Sequence, residues 1–188
     1  MRILIADDDP IIRLDLRQML ESMGHEVAAE AEDGRIALDL ARSSRPDICV
    51  FDVKMPNMDG IDAADAVYEE GIAPVLLLTA YSDQELITRA NSANVFGYLV
   101  KPFKPSDLNP AIEVARARFE STLALKKETE DLKDRLEARK AVEKAKGILM
   151  TQQGLTESEA YRRIQTQAMN ARKSMRELAE AIILASGI

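Results

Sequence analysis

The run Asp47-Ile48-Cys49-Val50-Phe51-Asp52 constrains the fold more than any other stretch. It is a short apolar segment that ends on a carboxylate. Val53-Lys54-Met55-Pro56-Asn57-Met58-Asp59-Gly60 follows, a loop with Pro and Gly, and then a helical pattern from Ile61 to Val67. The same unit recurs. Arg2-Ile3-Leu4-Ile5-Ala6 stops at Asp7-Asp8-Asp9, and Ile12, Leu16, Met19, Leu20 and Met23 follow at helical spacing. Val27-Ala28-Ala29 reads as a weaker strand, with Ile36, Leu38, Leu40 and Ala41 as the helix after Gly34. Pro74 to Thr79 is a fourth strand, Ser82-Asp83-Gln84-Glu85 has the form of a capping box opening a helix, and Gly97-Tyr98-Leu99-Val100 is a fifth strand closed by Lys101-Pro102. Apolar strands separated by helical patterns predict an α/β fold, a parallel sheet with helices on both faces.

Right-handed crossovers bring all strand ends to one edge, where open parallel sheets bind their ligands. The residues at those ends are Asp7, Asp8, Asp52, Thr79 and Lys101. A carboxylate such as Asp52 can attack phosphorus and form an acyl phosphate. Asp7, Asp8 and Asp52 offer hard oxygen ligands for Mg2+. Lys101 can pair with a phosphate oxygen as a point charge, and Thr79 offers a hydroxyl. Taken singly, each acid could equally be a solvated loop residue or a helix cap; five such groups at one sheet edge favour the phosphoryl site.

The 188 residues allow one large domain, or one ordinary domain plus a small one, and 46% hydrophobic with 30% charged residues fit a globular protein. No apolar run approaches the ~18 residues of a membrane span. Met1 and Arg2 lead directly into Ile3-Leu4-Ile5 without a secretory pattern, and Cys49 alone cannot make an internal disulfide. A reducing cytoplasm is therefore expected. Charge is uneven. Residues 1–118 hold 12 Lys+Arg against 21 Asp+Glu, excluding a nucleic-acid surface there, whereas residues 139–188 hold 9 against 5.

From Ser106 the pattern stays helical. Ile112, Ala115 and Phe119 share a face; Leu125, Leu132 and Leu136 continue it like a short coiled coil, with Thr129 and Arg139 interrupting the seam. Three helical segments end the chain: one with Val142, Ala145, Leu149 and Met150, ended by Gln152-Gln153-Gly154, and two opened by the capping boxes Thr156–Glu159 and Ser174–Glu177. So small a bundle gains from dimerisation.

Ile5-Ala6-Asp7-Asp8-Asp9, Phe51 to Gly60, Leu78-Thr79-Ala80 and Gly97 to Phe103 together resemble the receiver domain of two-component response regulators, over about residues 1–120. The resemblance implies a flavodoxin-like, doubly wound, five-stranded parallel receiver phosphorylated on Asp52 by a sensor histidine kinase. It implies Mg2+ held by Asp8, Asp52 and the backbone carbonyl of Lys54, with Asp7 acting through water. It also implies Thr79 and Lys101 on the phosphoryl group, a cis peptide before Pro102, and a Thr79–Tyr98 switch pair. Asn94-Val95 departs from the Gly-Ala that many receivers carry.

Leu136 to Ala185 resembles an ANTAR domain, the antiterminator RNA-binding module, through Arg139, Ala145 to Met150, Ala160-Tyr161, Ile164, Ala168-Met169, Arg172 and Leu178-Ala179. That resemblance implies a small all-α three-helix bundle over 139–188 that works as a homodimer on paired RNA hairpins, with residues 121–138 as a coiled-coil linker helix. Lys144, Lys146, Arg172, Lys173 and Arg176 would contact phosphates, and Gly147 would allow close backbone approach. The expected function is phosphorylation-gated transcription antitermination, with no turnover on an external substrate. The alternatives are a bundle that reads DNA, for which no helix carries a dense Arg/Asn/Gln face, and a bundle that only dimerises or binds protein.

Overall fold

The computed structural model describes residues 1–80 and 94–186. The capping box expected at Ser82–Glu85 lies outside them. Two compact units are present, Met1–Leu123 and Ala124–Ile188.

The first unit is built on five parallel strands: β1 (Arg2–Ala6), β2 (Glu26–Ala31), β3 (Ile48–Asp52), β4 (Val75–Ala80) and β5 (Gly97–Lys101), in the order β2-β1-β3-β4-β5. The helices are α1 (Pro10–Ser22), α2 (Gly34–Ser44), α3 (Gly60–Glu69) and the start of α4 (Pro105–Gln153). Period-two alternation sorts the strand residues between two cores. Leu4, Ala6, Cys49, Phe51, Val75 and Leu77 pack on α2 and α3. Ile3, Ile5, Ile48, Val50, Leu76 and Leu78 pack on Leu16 and Leu20 of α1 and on Leu108, Ile112, Ala115 and Phe119 of α4. The sheet is thus covered on both faces, the doubly wound flavodoxin-like architecture whose ligands sit beyond the strand ends. Cys49 is fully buried, and burial pushes its thiol pKa far up, so it is a packed apolar residue.

Ile36, part of the expected helix, is exposed, because the inward face of α2 is set by Ala37, Leu38 and Ala41 at helical spacing. Met150, expected on one face with Val142, Ala145 and Leu149, is 40% exposed. Helix starts follow local chemistry: the Asp9, Asp33 and Asp59 side chains each accept from backbone N–H groups of the first turn.

Gly60 opens α3 directly against β3. Its N–H donates to Val53 O at 2.9 Å, and a Cβ there would overlap the carbonyl oxygen of Asp52. Gly60→Ala is expected to cost about 1–3 kcal/mol, read from the urea midpoint, and to displace the backbone that carries Asp52.

In the second unit the end of α4, α5 (Glu157–Ala171) and α6 (Met175–Ala185) bury Ala145, Leu149, Ala160, Ile164 and Ala179. Gly154, in the left-handed region at φ 68°, breaks α4 from α5. Thr156 with Glu159 and Ser174 with Glu177 form reciprocal capping boxes at the starts of α5 and α6. Leu125, Leu132 and Leu136, the expected coiled-coil stripe, are more than half exposed in the single chain.

Candidate functional site

Strand register assembles the acidic edge. Ala6 pairs with Phe51, so Asp7, one residue on, lies beside Asp52. Asp52 pairs with Leu78 on β4, and Ala80 pairs with Lys101 on β5. Lys101 reaches back across β4. Its ammonium donates to Asp7 Oδ2 at 2.7 Å and to Asp52 Oδ1 at 2.5 Å. Asp52 Oδ2 accepts from the Lys54 N–H at 2.8 Å, and Asp7 Oδ1 from the Asp9 N–H at 2.9 Å. Asp7 and Asp52 are buried and Asp8 is exposed.

The electrostatics are those of two carboxylates sharing one cation. Burial pushes the Asp52 pKa up, helped by the charge of Asp7 and opposed by the hydrogen bond and charge of Lys101. Burial alone would lower the Lys101 pKa, but its bonds to Asp52 and Asp7 carry it above the usual lysine range. Lys101 therefore stays charged at neutral pH, held between the two carboxylates.

Thr79 is buried at the end of β4, its hydroxyl donating to the Ala80 carbonyl at 3.2 Å. Tyr98 faces outward, 53% exposed. The Lys101–Pro102 peptide is cis, as the resemblance to receivers implies. At the departure Asn94-Val95, the Asn94 amide donates to Asp65 of α3 at 2.9 Å while Val95 packs on the α2–α3 core.

A clasp that sequence reading missed holds the loop after Asp52. Asn57, at φ 63°, donates its amide to Asp33 Oδ2 at 2.9 Å, and the Gly34 N–H donates to Met58 O at 3.2 Å. The partners lie 24 residues apart in sequence, so no local pattern announces them. The clasp ties the segment bearing the Lys54 carbonyl to the start of α2.

Among the described residues, no group of three or more His, Cys, Asp or Glu side chains is arranged to hold a metal unaided. The donor chemistry nevertheless fits Mg2+. Asp7, Asp8, Asp52 and the Lys54 carbonyl offer only hard oxygens, and Mg2+ needs one or two carboxylates because it keeps several waters.

The structure divides the basic residues of the second unit. Lys144, Arg172 and Lys173 are exposed, and among the described residues their side chains make neither ion pair nor hydrogen bond. Lys146 is different. Its side chain is only 8% exposed and donates to Glu157 at 2.7 Å and to Glu143 at 2.9 and 3.0 Å. Those bonds hold its pKa above the usual lysine range. Arg176 is tied to Glu180 and Asp134. Lys146 and Arg176 are thus committed within the bundle, where sequence reading expected free phosphate contacts. Arg162 and Arg163 are exposed instead, with no ion-pair partner among the described residues; the apolar rhythm Ala160–Ile164–Ala168 turns both outward. Gly147 is exposed, with open space where a side chain would stand.

A parallel sheet ordered 2-1-3-4-5, with acids and a lysine at its carboxyl edge, is the receiver class of fold. The response regulator receiver domain model matches residues 3–113, and the ANTAR domain model matches residues 130–183. The chain belongs to the response regulators that join a receiver domain to a C-terminal ANTAR domain. It is 48% identical over 182 residues to the transcriptional regulatory protein PdtaR of Mycobacterium tuberculosis, covering 97% of this chain and 89% of that protein. It is 35% identical over 112 residues to the chemotaxis protein CheY of Thermotoga maritima, which covers 59% of this chain and 93% of that one. The solved receiver domain of the putative response regulator NarL from Mycobacterium tuberculosis superposes with a TM-score of 0.59 at 30% identity, covering 62% of this chain and 95% of that one. No helix among the described residues is long and apolar enough to cross a membrane.

Proposed function

We propose that this protein is a cytoplasmic response regulator that takes a phosphoryl group on Asp52 from a sensor histidine kinase and controls transcription by binding RNA hairpins. The observation that carries the reading is the Lys101 ammonium held between the Asp7 and Asp52 carboxylates at the sheet edge. An Asp52 carboxylate oxygen forms the new bond to phosphorus as the bond from phosphorus to the donor nitrogen breaks. Lys101 pairs with a phosphoryl oxygen, and the Thr79 hydroxyl donates to another. Mg2+, held by Asp8, Asp52 and the Lys54 carbonyl with Asp7 behind a water, would offset charge on the transferring group. The aspartyl phosphate then slowly hydrolyses, and no external substrate is turned over.

Thr79 turning toward the phosphoryl group vacates space into which Tyr98 can move from its outward position. That change alters the face formed by β4 and β5. We read the exposed Leu125–Leu132–Leu136 stripe as a coiled-coil seam that pairs two phosphorylated chains, and residues 1–120, 121–138 and 139–188 as receiver, linker helix and RNA-binding domain. Two bundles on two hairpins bind more tightly through effective concentration alone. The test is a gel shift with a twin-hairpin RNA. A phosphodonor should strengthen binding by the wild type and leave an Asp52→Asn protein unchanged; equal enhancement of both proteins would remove the gating.

Arg172 offers a second test of the RNA reading. It caps α5 in the left-handed conformation at φ 53°, where Gly is the unstrained choice. Arg172→Gly is expected to stabilise the bundle by about 1 kcal/mol while weakening RNA binding and reducing its salt slope by about one. Melting curves and salt titrations check the two halves.

A further inference from the structure

Beside Lys146, at the start of α5, lies a hollow of about 310 Å3 lined by Lys146, Glu157, Ser158, Tyr161 and Arg162. That is the small end of the range for ligand sites. Tyr161 is the aromatic of the bundle and is 43% exposed, and among the described residues its side chain has no ring contact or hydrogen bond. Arg162 is exposed, with no ion-pair partner among the described residues. Neither serves the core, which α5 fills with Ala160, Ile164 and Ala168. The hollow's floor is a buried donor next to an acceptor, the Lys146 ammonium 2.7 Å from Glu157 Oε1.

A bare phosphate suits this place poorly, because Glu143 and Glu157 already neutralise Lys146 and would repel an anion. A flat, neutral ligand with adjacent donors and acceptors suits it well. We propose that the hollow receives one unstacked base of an RNA hairpin loop, an assignment that rests on the RNA reading above. The base stacks on Tyr161, its edge donates to the Glu157 carboxylate that Lys146 holds in place, and Arg162 takes the flanking phosphate. Loop bases expose faces and edges in this way, whereas paired bases do not. Lys146 then positions Glu157 for a base edge, where sequence reading gave it a phosphate.

The test uses the full-length chain and a pool of twin-hairpin RNAs with randomised loops, from which the wild type selects a binder. By fluorescence anisotropy, Tyr161→Phe should bind like wild type, and Tyr161→Ala should lose about tenfold or more at an unchanged melting temperature. An abasic nucleotide at one loop position should weaken wild-type binding equally and cost the Tyr161→Ala protein nothing further. Arg162→Gln should lower the salt slope by about one, which Tyr161→Ala should not. Wild-type affinity in Tyr161→Ala, or abasic losses that add to it, would overturn the hollow while RNA binding stands. Failure of the wild type to select any RNA would bring down both.

Discussion

Asp52→Asn is expected to abolish phosphoryl uptake while leaving the receiver folded. Incubated with a small-molecule phosphodonor and Mg2+, the wild type should give a shifted band on a phosphate-affinity gel and the variant none, because an amide oxygen is not a nucleophile toward phosphorus. The stability expectation runs the other way. Burial holds the Asp52 carboxyl above the ordinary carboxylate range despite Lys101. The folded chain therefore binds that proton more tightly than the unfolded chain. Ionised Asp52 subtracts stability, a loss that begins above the unfolded pKa and is complete once pH has risen through the folded pKa. The Asn variant lacks the penalty, so at pH 7 it should melt at or above the wild-type temperature. A variant that loses phosphorylation and melts lower would point to a damaged fold.

Lys101→Met should carry the largest cost in stability. Asp7 is 1% exposed and Asp52 8%, and Lys101 is the cation that touches both. Removing it leaves two neighbouring carboxylates without a counter-charge, a loss on the order of 3–5 kcal/mol for a buried pair. Without Lys101, which lowers it, the Asp52 pKa stands further above its unfolded value. The deficit is thus larger at high pH and shrinks as pH falls through that raised value. Urea melts of both proteins at several pH values measure it, and a deficit independent of pH would mean that lost packing is responsible. Phosphoryl uptake should fall as well, since the cation that meets the incoming group is gone.

Much of this was legible because it is written in local pattern. Ile48 to Asp52 declares a buried strand ending in an acid, and parallel topology forces such ends together. Thr156 with Glu159 and Ser174 with Glu177 announce helix starts through three-residue spacing. What was not legible depends on partners distant in the chain or on backbone geometry. Lys146 looked like a free base, but the turn at Gly154 brings Glu157 back over it. Asn57 meets Asp33 only once β3 and α2 are in place. The left-handed φ of Arg172 comes from the end of α5 and has no mark in residue type. The exposure of Ile36 was not legible either, because hydrophobicity does not say which face of α2 turns inward.

The most direct measurement locates the phosphoryl group. The wild type is treated with phosphodonor and Mg2+, the acyl phosphate is reduced with borohydride, and the digest is read by peptide mass spectrometry. The expected result is a single modified residue at position 52, lost when Mg2+ is withheld. Modification of another acid at the strand ends, or none at all, would contradict it.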